Sequence, residues 1–238
     1  MIRLGGETGR RTGLKILWTA RSVRVQVPPR AHAHSKQENG DFHLKKILPK
    51  DPHFSKEQAW ELDSSSISEI SAIGNTGLLQ TKKLGLLCSV KCPAKIVLKT
   101  ADYMRTIAGK YTIVSGFHSP VEKECLRILL REIQPVIICP ARSIDTFSIP
   151  KLWEKPLEDD KLLVLSMFKK SYDRFNARLA YQRNKFVVIL ADRVLIPFAD
   201  KRSKTIELTR FLVSKGKTVL TFDVPENQSL LQLGAKTL

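Results

Sequence analysis

The chain has 238 residues, 42% of them apolar, which suits one sizeable domain with flanks or two small ones. Its 40 lysines and arginines against 23 acids give a formal net charge of +17. This makes a polyanion, nucleic acid first, the partner to expect, with a basic but inert surface as the alternative. The excess is spread along the chain, so it points to a class of partner and not to a site. No apolar run approaches the length of a membrane span, and no signal-peptide core is evident. A cytoplasmic protein with no membrane partner is therefore expected. The four cysteines are Cys88, Cys92, Cys125 and Cys139. They lack the second pair or the histidines of a zinc set, so reduced thiols in or near the core are expected, with no metal and no cofactor.

Residues 1 to 34 carry seven Lys or Arg and one acid, Glu7, with no helical or strand periodicity. A basic nucleic-acid arm and a mitochondrial presequence are two readings. A third is a non-native or disordered extension from a mis-assigned start. Arg24-Val25-Gln26-Val27-Pro28 back-translates naturally to CGG-GTT-CAA-GTC-CCG, which resembles the T-arm of a transfer-RNA gene. Residues 35 to 82 read as a lead-in with short elements: a helix near Ser55–Leu62, an edge element over Ile67–Ile73 and a Gly74–Gly77 turn.

From Lys83 to Leu238 helices alternate with short apolar runs, which predicts an α/β, Rossmann-like three-layer domain with a largely parallel sheet. Leu84–Cys88 is its first strand and Ala94–Ala108 its first helix. Tyr111–Ser115, a helix opened by Ser119-Pro120, and Val136–Cys139 form a strand–helix–strand unit. Ser143–Asp160 reads as a loop-rich connection and Leu162–Ser166 as a strand. Ser171–Asn184 reads as a polar helix, after which Phe186–Leu190 leads toward strand-like Val194–Phe198. Thr205–Lys215 is a helix and Val219–Phe222 the final strand.

Parallel sheets gather the turns after their strands at one edge, with helix N-termini facing a shared crevice. Ser89 and Lys91, then Ser115, Gly116 and His118, then Lys201, Arg202 and Lys204 occupy three such turns. They make a candidate phosphate pocket, with ordinary turn chemistry as the alternative. A second set, Arg174, Arg178, Arg183, Asn184 and Lys185, lies on the polar helix, where cations could follow a phosphate backbone and Tyr172, Phe175 or Tyr181 could stack a base. A solvated helix face is the alternative. No dinucleotide, phosphate-loop, serine-hydrolase or zinc-protease signature is present. A His118–Glu122 acid/base pair is conceivable, but an acid in the first turn of a helix ordinarily serves the dipole.

Four stretches in order, SGFHSPVEKECL, CPARSI, RFNARLAYQRNKFVVILAD and ENQSLLQLGA, resemble the Rossmann-like domain of the DNA-processing protein A (Smf/DprA) family. The likeness runs from about Leu84 to Ala235 and is nearest to a divergent branch. It implies a non-enzymatic bacterial protein that binds single-stranded DNA, acts in DNA processing and natural transformation, and loads the RecA recombinase. A homodimer is a further partner to consider. By motif, the resemblance places Ser89, Ser115, Gly116, Arg183, Asn184 and Ser203–Thr205 in the family's functional loops. Val90 stands where the family has Arg, His118-Ser119 where it has Arg-Gly, Lys185 where it has Arg, and Lys204 where it has Gly. The family's flanking N-terminal helical and C-terminal winged-helix-like domains are not expected. The competing reading is a nucleotide-binding or nucleotide-hydrolysing Rossmann-like protein.

Overall fold

Uninterrupted apolar runs form the middle of the sheet, because helices cover both of its faces. The computed structural model describes residues 42–169, 172 and 176–238. In chain order its elements are β1 (Lys45–Ile47), α1 (Lys56–Ser64), β2 (Ile70–Gly74), a 3-10 turn (Thr76–Gln80), β3 (Lys83–Leu86), α2 (Ala94–Thr106), β4 (Thr112–Ser115), α3 (Pro120–Arg131) and β5 (Val136–Ile138). There follow α4 (Lys151–Glu158), β6 (Leu162–Ser166), α5 (Ala177–Leu190), β7 (Arg193–Leu195), α6 (Lys204–Ser214), β8 (Val219–Thr221), a 3-10 turn (Pro225–Asn227), α7 (Gln228–Gln232) and β9 (Lys236–Thr237).

The strands make one sheet in the order β1-β2-β6-β5-β4-β3-β7-β8-β9. The β1–β2 and β2–β6 pairs are antiparallel and all the others parallel. Side chains alternate as the pleat requires. Leu162 and Val164 enter one core with Ile113, Val136 and Leu84. Leu163 and Leu165 enter the other with Val114, Ile137 and Val194. The first core is closed by Met104 of α2, Val121, Cys125 and Leu129 of α3, and Leu157 of α4. The second is closed by Leu62 of α1, Phe186 to Leu190 of α5, and Ile206, Leu208 and Leu212 of α6. Burying each such side chain is worth about 1.5–3 kcal/mol.

From β3 the chain steps outward through β4, β5 and β6. It then returns through α5 to place β7 on the other side of β3. Strand order reverses at β3, and ligands of open α/β sheets bind at such a reversal, outside the carboxyl ends of the strands.

Several local readings change. Residues 42–82 are woven into the same sheet: β2 pairs with β6 and is not an edge, because β1 covers it. The connection before β6 contains α4, which holds Pro156 in its second turn and packs Leu157 into the core. Phe186–Leu190 is the buried end of α5, not a lead to a strand. Val219–Thr221 is not the last strand, since β9 pairs beyond it. Among the described residues no helix is long and apolar enough to cross a membrane, and no group of three or more His, Cys, Asp or Glu could hold a metal. Cys88, Cys125 and Cys139 are buried free thiols, and burial pushes Cys125 and Cys139 up to about 12.

Candidate nucleic-acid interface

The turn after β4 is built around a carboxylate. Ser119 caps α3 by accepting from the Glu122 N–H at 3.3 Å, and Pro120 opens the helix. Glu122 completes a capping box and goes further. Its Oε1 accepts from the Cys88 N–H at 2.8 Å, at the end of β3. Its Oε2 accepts from the N–H groups of His118 at 2.8 Å and Ser119 at 3.3 Å. Glu122 is only 4% exposed. Three backbone donors from two strand-end turns, the arrangement that would hold a phosphate oxygen, thus hold a side chain of the same protein. Phe117 is buried in this turn at a φ of +48°, a left-handed conformation rare for an aromatic residue.

Arg183 lies beneath the same turn. It is 3% exposed; its Nη1 donates to the Cys139 carbonyl at 3.1 Å and its Nε to Asn184 Oδ1 at 2.8 Å. Its guanidinium covers Gly116 so closely that a Cβ there would sit 1.2 Å from Nη1. Burial lowers the Arg183 pKa, while the charge of Glu122 works in the opposite direction. Even so, a guanidinium keeps its proton in a protein. Ser115 is fully buried, and its Oγ accepts from the Phe117 N–H at 3.1 Å. The inner cluster is therefore Ser115, Gly116, Glu122, Cys139, Arg183 and Asn184. Ser115 and Arg183, expected as phosphate contacts, point inward here and shape the turn.

Ser89 is also buried and ties the two strands at the reversal. Its N–H donates to the Phe198 carbonyl at 3.0 Å, and its Oγ accepts from the Asp200 N–H at 3.1 Å. Cys88 and Cys92 share a thiol hydrogen bond across this turn, which raises the first and lowers the second.

The outer residues differ. Lys91, Lys201 and Arg202 are exposed on the turns after β3 and β7, and Arg178 is exposed in the first turn of α5. Helices that follow parallel strands run back against them, so these positions share the carboxyl edge. Above it lies a depression of about 380 Å³ lined in part by Pro93, Phe198, Lys201 and Arg202. Lys204, on the first turn of α6, is occupied by Glu207 at 2.9 Å. Lys185 lies two turns along α5, with its Nζ 5.1 Å from the centre of the Tyr181 ring. Arg174 lies outside the described residues. His118 is exposed at the rim; partial burial first, then the charges of Arg183 and Lys123, hold its pKa below the ordinary value. Lys123, not singled out in the sequence, therefore belongs to this rim. The cradle role of Glu122 was likewise not singled out, although the Ser119-x-x-Glu122 spacing announces a capping box.

No protein-family model and no curated protein matches the chain. Among solved structures, the DNA processing protein A of Streptococcus pneumoniae aligns with a TM-score of 0.66 at 18% identity, over 84% of this chain and 71% of that one. The DNA processing protein A of Helicobacter pylori, whose structure concerns a single-stranded DNA binding mode, aligns with a TM-score of 0.62 at 22% identity, over 83% and 91%. The expected α/β architecture is thus found in full, and the chain has the fold of DNA processing protein A.

Proposed function

We propose that this protein binds single-stranded DNA, through phosphate contacts at the carboxyl edge of the sheet and along α5. The observation that carries the reading is the division of charge at that edge. The enclosed anion cradle is filled by Glu122, while Lys91, Arg178, Lys201 and Arg202 have no ion pair among the described residues. A mononucleotide needs the enclosed cradle for its phosphate. A polyanion lying across the rim needs only the outer cations. The shared fold with a protein known for single-stranded DNA binding supports the same choice. It disfavours the nucleotide-binding or nucleotide-hydrolysing alternative, as does the commitment of both Glu122 oxygens to backbone N–H groups.

A role in DNA processing and transformation, loading of a RecA-type recombinase onto the bound strand, self-association as a dimer and a cytoplasmic location belong to the same proposal. They rest on the family likeness. The test is fluorescence anisotropy with labelled oligo-dT over a range of salt, beside a thermal-shift series with nucleotides. The expected result is oligo-dT binding that weakens steeply with salt and no stabilisation by nucleotides. Nucleotide stabilisation without oligo-dT binding would overturn the proposal.

A further inference from the structure

A second basic surface lies on the face of the sheet covered by α1, α5 and α6. Trp60 of α1 is 71% exposed and Phe211 of α6 is 49% exposed. Between them runs a groove of about 310 Å³, floored by the apolar end of α5 and rimmed by Lys185, Lys215 and Lys217 against one acid, Glu61. The Lys215 Nζ stands 5.9 Å from the centre of the Phe211 ring. Exposed aromatic faces beside lysines suit unpaired bases and their phosphates together.

Helix α5 leads from the proposed DNA edge to this groove. Arg178, Gln182, Lys185 and Ile189 fall on one stripe of α5, spaced four, three and four residues apart. At about 1.5 Å per residue that stripe spans roughly 16 Å, from the crevice to the groove. Lys185 is at once a member of the stripe and a wall of the groove.

Resting on the single-stranded DNA reading above, we infer that the Trp60–Phe211 groove is a second contact for the same strand, where bases stack after the backbone has followed α5 from the crevice. Charge decides between occupants. Residues 1–34 of this chain carry seven Lys or Arg and one acid, so their sequence offers the lysine rim no complementary charge. A second copy meeting this face symmetrically would set the same lysines against each other. A single strand of nucleic acid supplies both the anions and the flat apolar faces.

The test compares labelled oligo-dT of about 4 and about 16 nucleotides, the range of site sizes for single-strand binders. The variants are the Trp60→Ala/Phe211→Ala pair and Lys215→Glu. Both positions of the pair are exposed, and a melting curve checks that the fold is kept. Affinity for the long oligonucleotide should fall about tenfold or more in the pair and severalfold in Lys215→Glu, with the short one unchanged. The long oligonucleotide should also quench tryptophan fluorescence in the native protein, and Trp60→Phe should remove that quench. Unchanged long-oligonucleotide affinity with no quench from Trp60 overturns the groove while the edge proposal stands. A change in molecular mass of the pair by light scattering, with DNA affinity unchanged, makes the groove a protein contact and also overturns it. Failure of the native protein to bind either oligonucleotide at low salt overturns both proposals.

Discussion

Arg183 and Lys83 are buried cations at opposite edges of one sheet. Lys83 lies at the amino end of β3, where its Nζ donates to the carbonyls of Thr81 at 2.7 Å and Leu79 at 2.9 Å, with Asp192 3.8 Å away. Arg183 lies under the carboxyl edge, held by the Cys139 carbonyl and Asn184 and drawn by the charge of Glu122. Burial lowers the pKa of both. Lysine can respond by giving up its proton, whereas a guanidinium cannot. The amino edge thus holds a cation able to neutralise, with a half-exposed acid at its side. The carboxyl edge holds a permanent positive charge near a buried carboxylate, beneath a rim of exposed cations. The contrast teaches that a buried positive group does not by itself set one edge apart from the other; the groups outside it do.

The largest effect should come from removing the buried guanidinium. Arg183→Ala leaves a cavity beneath Gly116 and takes the donor from the Cys139 carbonyl and Asn184, and should cost about 3–5 kcal/mol of stability in urea unfolding. Lys83→Met, which leaves two carbonyls without a donor, should cost less, about 1–3 kcal/mol. Equal losses would erase the contrast. Gly116→Ala should come next at about 1–3 kcal/mol, because its Cβ displaces the guanidinium from Cys139. In the Arg183→Ala background the same change should cost little, and a double-mutant cycle reads the difference.

The rim should behave in the opposite sense. Lys201→Glu with Arg202→Glu should leave the unfolding midpoint almost unmoved and weaken single-stranded DNA binding about tenfold or more. The slope of log affinity against log salt should become shallower by about 1–2. The smallest effect concerns His118. Its folded pKa is below the unfolded value of about 6.5, so the unfolded chain binds more protons between the two. Stability should therefore fall as pH drops through about 6.5, and the loss is complete below the folded value. His118→Asn should remove that part of the pH profile, while DNA phosphates, which favour the imidazolium, should strengthen native binding as pH falls.

The strand–helix–strand core was legible because Val136–Cys139 and Leu162–Ser166 are unbroken apolar runs and Ser119-Pro120 is an unmistakable helix start. Phe186–Leu190 was not, since a β-branched run has no sequence mark that separates a buried helix end from a strand. β1 and β2 were obscured by being short and partly polar, as suits strands near an edge. At the site, the three strand-end turns were legible but the depth of their residues was not. Nothing in the residue type distinguishes Arg183, buried against Gly116, from Arg202, which faces water; only the packing of α5 across β4 does that. Arg183→Glu, natural as a test from the sequence, would disturb folding before it reported on DNA.

Glu122 has one more consequence. Because it is covalently part of the chain, the turns after β3 and β4 acquire their anion at the moment of folding. They need no ligand to set their shape, so the edge is preorganised and binding does not bear the entropy of ordering it. The amides of Cys88, His118 and Ser119 should exchange slowly with deuterium in the DNA-free protein, and adding DNA should slow them little further.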